Sequence, residues 1–151
     1  MELLDTAKAH GTFQILSVKN GKVVFESEVM ENLLLNAYWA LLVQHNAGTA
    51  ASALKFTTLD IGSGSTAVAP GDTALDTMVL NGIIPARTTP ATASIVIEFF
   101  ITDAELANGT YRELGMRCAS TLVTRALFTT PYVKASGRDT IIRYTVSYTS
   151  T

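Results

Sequence analysis

The chain has 151 residues, enough for one ordinary domain with a real core and too few for two comfortable ones. Its 11 basic and 13 acidic residues leave a net charge of −2, and neither Lys nor Arg clusters along the chain, which disfavours nucleic acid as a primary partner. Only 16% of residues are charged and the mean hydropathy is +0.28, so a surface this weakly ionised is expected to meet other protein.

Residues 1–11 read as an extended N-terminal arm. Met1-Glu2-Leu3-Leu4-Asp5 carries an acid where a secretory leader carries a basic segment, which predicts synthesis and folding in a cytoplasm. Residues 13–18 and 23–29 flank Lys19-Asn20-Gly21-Lys22 and predict a β-hairpin, because Asn-Gly accepts the positive φ values of a tight turn. On the second arm Val23, Phe25 and Val29 share a face with Ser27, opposite Glu26 and Glu28, which predicts one buried and one wet face. Asn32 suits the N-cap of an apolar helix over residues 33–43, rich in Leu and Ala. Apolar on nearly every side, that helix is expected to be enclosed, with Trp39 in the core. The run is about half of the roughly 20 residues a membrane span requires, so no span is expected.

A strand over residues 54–61 leads into Gly62-x-Gly64-x-x-Ala67, which formally supplies the glycines of a nucleotide-binding turn. The helix that would meet phosphate is missing, because Val68-Ala69-Pro70-Gly71-Asp72 leaves as a loop. No acid stands about 20 positions on to hold a ribose, where Asn81 and Gly82 occur, and no lysine completes a phosphate loop. Residues 62–91 read as one long loop, with a short helical turn over 73–79. A loop of that length is not idle in a compact domain, so it is expected to reach a neighbouring subunit.

From there the pattern is β throughout. Residues 95–101, Ile-Val-Ile-Glu-Phe-Phe-Ile, predict a strand covered on both faces at the centre of the sheet. Strands over 111–118, 122–128 and 140–148 follow, separated by Asn108-Gly109, Ser120 and Ser136-Gly137. In the last, Ile142, Tyr144, Val146 and Tyr148 alternate with Arg143, Thr145, Ser147 and Thr149. The expected fold is mainly β: an antiparallel β-sandwich or partly open barrel with one apolar α-helix and a long loop containing Gly, Thr and Pro. A single domain spans 1–151.

The catalytic inventory is thin. His10 and His45 lack a nearby nucleophile setting and read as solvated loop residues or caps, and Gly-x-Ser-x-Gly does not occur. Cys118 is the single cysteine, so no intrachain disulfide forms; Leu114, Met116 and Cys118 alternate with Glu113, Gly115 and Arg117, which makes it a small buried hydrophobe. One Cys and two His do not make a zinc site, and Asp60 and Asp72 lack the spacing of a calcium loop, so no metal or cofactor is expected. Asp103, Glu105 and Glu113, the last on a polar strand face, are the acids a paired-carboxylate hydrolase would draw on, but small size and the lack of sugar-stacking aromatics rank that reading last. Glu98, inside an apolar strand, requires a partner such as Arg125 or Arg143. Asn108-Gly109-Thr110 matches a glycosylation sequon and reads as a turn.

The order of motifs is similar to that of small tailed-bacteriophage virion proteins of the tail, baseplate, collar and fibre-attachment group. It comprises the hairpin, Asn32-Leu33-Leu34-Leu35-Asn36, Ile61-Gly62-x-Gly64-x-Thr66 with Asp72-Thr73-x-Leu75, Arg87, an aliphatic strand, Ala104-Glu105 before Asn108-Gly109, Glu113-Leu114-Gly115, Arg125-Ala126-x-Phe128, Lys134, and the final strand. The resemblance covers roughly residues 10–149 and rests on the order of many weak motifs. It departs where Pro85-Ala86 replaces an acid often found before the arginine, and no long fibrous extension follows. It implies a non-enzymatic subunit of the virion, made in the bacterial host cytoplasm and partnered by copies of itself and other virion proteins. Asn32, Asn36, Gly62, Gly64, Asp72, Arg87, Glu98, Glu113, Gly115 and Arg125 are then structural or interface residues. A capsid decoration protein and a carbohydrate- or receptor-binding module are the alternatives.

Overall fold

The computed structural model describes residues 7–150. Eleven strands and one helix follow in the order β1 (Ala7–Lys19), β2 (Lys22–Glu26), β3 (Met30–Leu34), α1 (Asn36–Asn46), β4 (Thr58–Gly62), β5 (Met78–Ile83), β6 (Arg87–Pro90), β7 (Ser94–Ile101), β8 (Gly109–Cys118), β9 (Thr121–Leu122), β10 (Thr124–Lys134) and β11 (Asp139–Ser150). Every pairing is antiparallel, in the order β5-β4-β8-β10-β3-β1-β11-β7-β6, with β2 added to β1 and β9 to β8. The sheet curls into a half-barrel, so the mainly β, partly open architecture with one helix is the one expected.

Curling brings the two limbs of the sheet face to face. Leu59, Ile61, Leu114 and Met116 of one limb share a core with Phe13, Ile97, Phe99, Ile142, Tyr144 and Val146 of the other. The alternation in β11 is realised: Ile142, Tyr144 and Val146 are fully buried. Tyr132 spans the interior, its hydroxyl bonded to Ser17 Oγ at 3.0 Å and Thr140 Oγ1 at 2.8 Å, so one phenol ties β10 to β1 and β11. Residues 128–131 of β10, including Pro131 with no N–H to give, drop out of register with β8. The link over residues 84–86 joins β5 to β6, the two open ends of the sheet.

Several expectations are corrected. The Asn-Gly turn forms, with φ of 50° at Asn20 and 74° at Gly21, but β2 is exposed along its whole length and has no buried face. Its register with β1 shifts between Ser17 and Val18, and such a bulge bends an edge strand away from its neighbours. Residues 7–11 are not a free arm but the start of β1, paired residue by residue to β11; residues 1–6 lie outside the described residues. Asn32 caps no helix: Met30–Leu34 is a strand held between β1 and β10, and α1 begins at Asn36 with Leu35 in the cap position. The ladder satisfies the backbone there, overriding the helical preference of the leucines. Nor is α1 enclosed, since Trp39 is 38% and Val43 66% exposed while Tyr38 and Leu41 face inward. Residues 62–91 are not one loop, because they contain β5 and β6, and no helical turn forms over 73–79. β7 is second from one end of the sheet, not central, and buries chiefly the face of Ile97, Phe99 and Ile101.

Candidate functional site: a buried ion-pair clamp

β8 and β10 are neighbours, with Ala126 opposite Leu114 and Leu127 opposite Glu113. Leu114 faces the core, so Glu113 and Arg125 stand on the outer face, where solvent would be expected. Both are buried instead, Glu113 at 0% and Arg125 at 2% exposure, because residues 63–77 fold over them. Glu113 thus stands on the polar strand face expected of it, but that face is covered rather than open to water.

Glu113 is saturated. Its Oε1 accepts the Gly64 N–H at 3.1 Å and the Thr77 N–H at 2.7 Å. Its Oε2 accepts the Asp76 N–H at 3.0 Å and both Nε and Nη2 of Arg125, at 3.1 and 2.9 Å. Arg125 in turn donates from Nη1 to Asp72 Oδ2 at 2.7 Å and from Nη2 to the Thr66 carbonyl at 2.8 Å. Burial draws the Arg125 pKa down, but its hydrogen bonds to Asp72 and Glu113 outweigh this and raise it, keeping the guanidinium charged. The Asp72 carboxyl is held below its ordinary range by the Ala69 N–H and then by Arg125. Asp76, which accepts the N–H groups of Ser65 and Thr66, is lowered likewise, chiefly by Thr66.

The glycines are explained by close approach. A Cβ at Gly64 would lie 2.5 Å from Asp76 and 2.6 Å from Glu113 Oε1, and one at Gly62 would strike the Thr77 carbonyl. A Cβ at Gly115 would meet the Thr124 carbonyl at 2.6 Å and Leu75, the buried anchor of the strap, at 3.1 Å. Thus Gly62, Gly64, Asp72, Glu113, Gly115 and Arg125, chosen from sequence, converge on one clamp that fastens residues 63–77 across the sheet.

The remaining nominees lie elsewhere. Arg87 and Glu98 pair across β6 and β7 at 2.6 Å, with Arg143 of β11 at 3.8 Å on the other side of Glu98. Glu98 therefore has Arg143 but not Arg125, which belongs to the clamp. Asn36 opens α1, its N–H bonded to the Pro70 carbonyl at 2.8 Å. Asn32 lies over Gly11, where any side chain would collide with it, and its Oδ1 and Nδ2 are buried without a partner.

The other candidate groups are engaged structurally. Asp60 is buried, bonded to Arg117 Nε at 2.6 Å and to the Gly82 N–H at 3.1 Å. Asp103 pairs with Lys134, whose ammonium is almost wholly buried, while Glu105 folds back onto Thr102. His45 accepts the Leu54 N–H at 2.8 Å, and His10 stands 3.3 Å from Glu31 at the surface. Cys118 is fully buried, and burial pushes its thiol pKa up, so it stays protonated. Among the described residues no group of His, Cys, Asp and Glu is arranged to hold a metal, and no helix is long and apolar enough to cross a membrane. A cavity of about 330 Å³ opens between α1 and β7, lined by Tyr38, Phe56, Ile95, Ile97, Cys118 and Tyr148 among others. Its two tyrosine hydroxyls bond each other at 2.9 Å. The burial of Asp60 and Lys134 and the Tyr132 bridge had no signal in the sequence, because each depends on a partner strand distant along the chain.

No family model, curated protein or solved structure matches the chain.

Proposed function

We propose that the chain is a non-enzymatic structural subunit of a tailed-bacteriophage virion, assembled by subunit contacts in the tail, baseplate, collar or fibre-attachment region. The observation that carries this reading is the exterior. The end strand β5 and the side strand β2 present Val23, Val24, Phe25, Met78 and Val79 at exposures between 42% and 54%. Isolated exposed apolar residues are ordinary, but contiguous ones on open sheet edges favour contact with another chain. The clamp supports the same reading, since its carboxylates and guanidinium are spent on ordering residues 63–77. The resemblance in motif order supplies the setting.

Fractionating a phage lysate on a density gradient tests the proposal. The chain is expected to co-sediment with intact particles at fixed stoichiometry, and a particle map should place it outside the head. Recovery only as a free monomer would overturn the proposal, and density on the capsid surface would favour the decoration alternative.

A further inference from the structure

The half-barrel is not filled to its end. Between α1 and β7 it keeps the cavity of about 330 Å³, more than twice the size of an apolar cavity of roughly 150 Å³ that admits benzene. The wall is mostly hydrocarbon: Leu54 and Phe56 turn inward from the segment before β4, and Ile95 and Ile97 present the inner face of β7. Glu98 and Arg87, each one residue along from the lining residues Ile97 and Thr88, stand on the opposite face of the sheet, and no carboxylate lines the cavity.

The charged and phenolic groups of the lining are donors. Lys55, exposed at the rim between Leu54 and Phe56, is the one charged residue there and joins no ion pair among the described residues. Tyr38 and Tyr148 bond each other through their hydroxyls at 2.9 Å, and a bond between two phenols consumes only one of their two hydrogens, so one O–H is left to donate.

We propose that this cavity binds a small monocarboxylate, its hydrocarbon body enclosed among Leu54, Phe56, Ile95 and Ile97 and its carboxylate on the Lys55 ammonium. The volume fits a body of up to about a dozen carbon atoms. An unpaired ammonium selects an anion, and a lining that offers donors selects an acceptor. A cationic head group would be repelled, and a neutral one would forgo the charge-assisted bond. A neighbouring depression lined by Thr57 and Pro85 shares Lys55, Phe56 and Thr88 with the cavity, so the head group keeps its hydration while the body is enclosed. The inference goes beyond the assembly reading and is tested on the isolated chain, so its failure leaves that reading untouched.

Titration with octanoate tests it. Trp39, the single tryptophan, lies edge-on to Tyr38 at 5.2 Å and reports on the cavity through its fluorescence. A saturable change with a Kd of about 1 mM or tighter is expected, with octanol and octylammonium each bound at least about tenfold more weakly. Lys55→Met, an exposed substitution, should weaken octanoate about tenfold and leave octanol unchanged. In methyl NMR spectra Leu54, Ile95 and Ile97 should shift, while Ile84, in the apolar groove beside Phe100, should not. No saturable response, octanol bound as tightly as octanoate, an affinity indifferent to Lys55→Met, or shifts that extend to Ile84 would each overturn the inference.

Discussion

Replacing Glu113 by Gln keeps the shape of the clamp and removes its charge, which isolates the electrostatic contribution. The carboxylate accepts from Gly64, Thr77, Asp76 and twice from Arg125, and Gln offers one acceptor oxygen. With that oxygen toward Gly64 and Thr77, the amide N–H groups confront the donors of Asp76 and Arg125. Flipped, they confront Gly64 and Thr77. In either pose at least two buried donors lose their partner, at about 1–3 kcal/mol each, and Arg125 keeps only Asp72 as a counter-charge. The expected loss is about 3–5 kcal/mol, a large part of the roughly 5–15 kcal/mol that holds a domain together. Equilibrium urea unfolding should show the lower midpoint, and amide exchange should show residues 64–77 losing protection first. A variant within about 1 kcal/mol of wild type, with unchanged exchange over that segment, would refute the clamp as the strap's anchor.

Other outcomes follow from the same geometry. Gly64→Ala must displace Asp76 or Glu113, and Gly115→Ala the Thr124 backbone, so each should cost about 1–3 kcal/mol in urea unfolding. Asp72 and Asp76 have folded pKa values below the ordinary 3.8, so their contribution is complete above that value and lost as pH falls through the folded values. Exchange protection of residues 64–77 should accordingly be flat from neutral pH to about pH 5 and weaken as pH falls below the ordinary aspartate value. Lys134→Met should cost only about 1–2 kcal/mol, less than Glu113→Gln, because the abandoned Asp103 is 41% exposed and can take water; a loss equal to that of Glu113→Gln would contradict this.

Local chemistry was legible without coordinates. Asn20-Gly21 set the first hairpin, Ile142, Tyr144 and Val146 announced a buried strand face, and Pro70-Gly71 excluded a phosphate-binding helix after Gly64, because each depends on the φ preferences or side-chain period of a few adjacent residues. The acids and glycines of the clamp could be nominated, but not joined. What ties Gly64 and Thr77 to Glu113, and Glu113 to Arg125 rather than Arg125 to Glu98, is strand register and the return of a loop across the sheet. The tertiary structure also decided that residues 30–34 form a strand: β1 and β10 offered them a hydrogen-bonding ladder, and three consecutive leucines fit a sheet or a helix equally well until such partners arrive. It likewise left Trp39 at the surface, since only the placement of α1 against the half-barrel determines which of its apolar sides is covered.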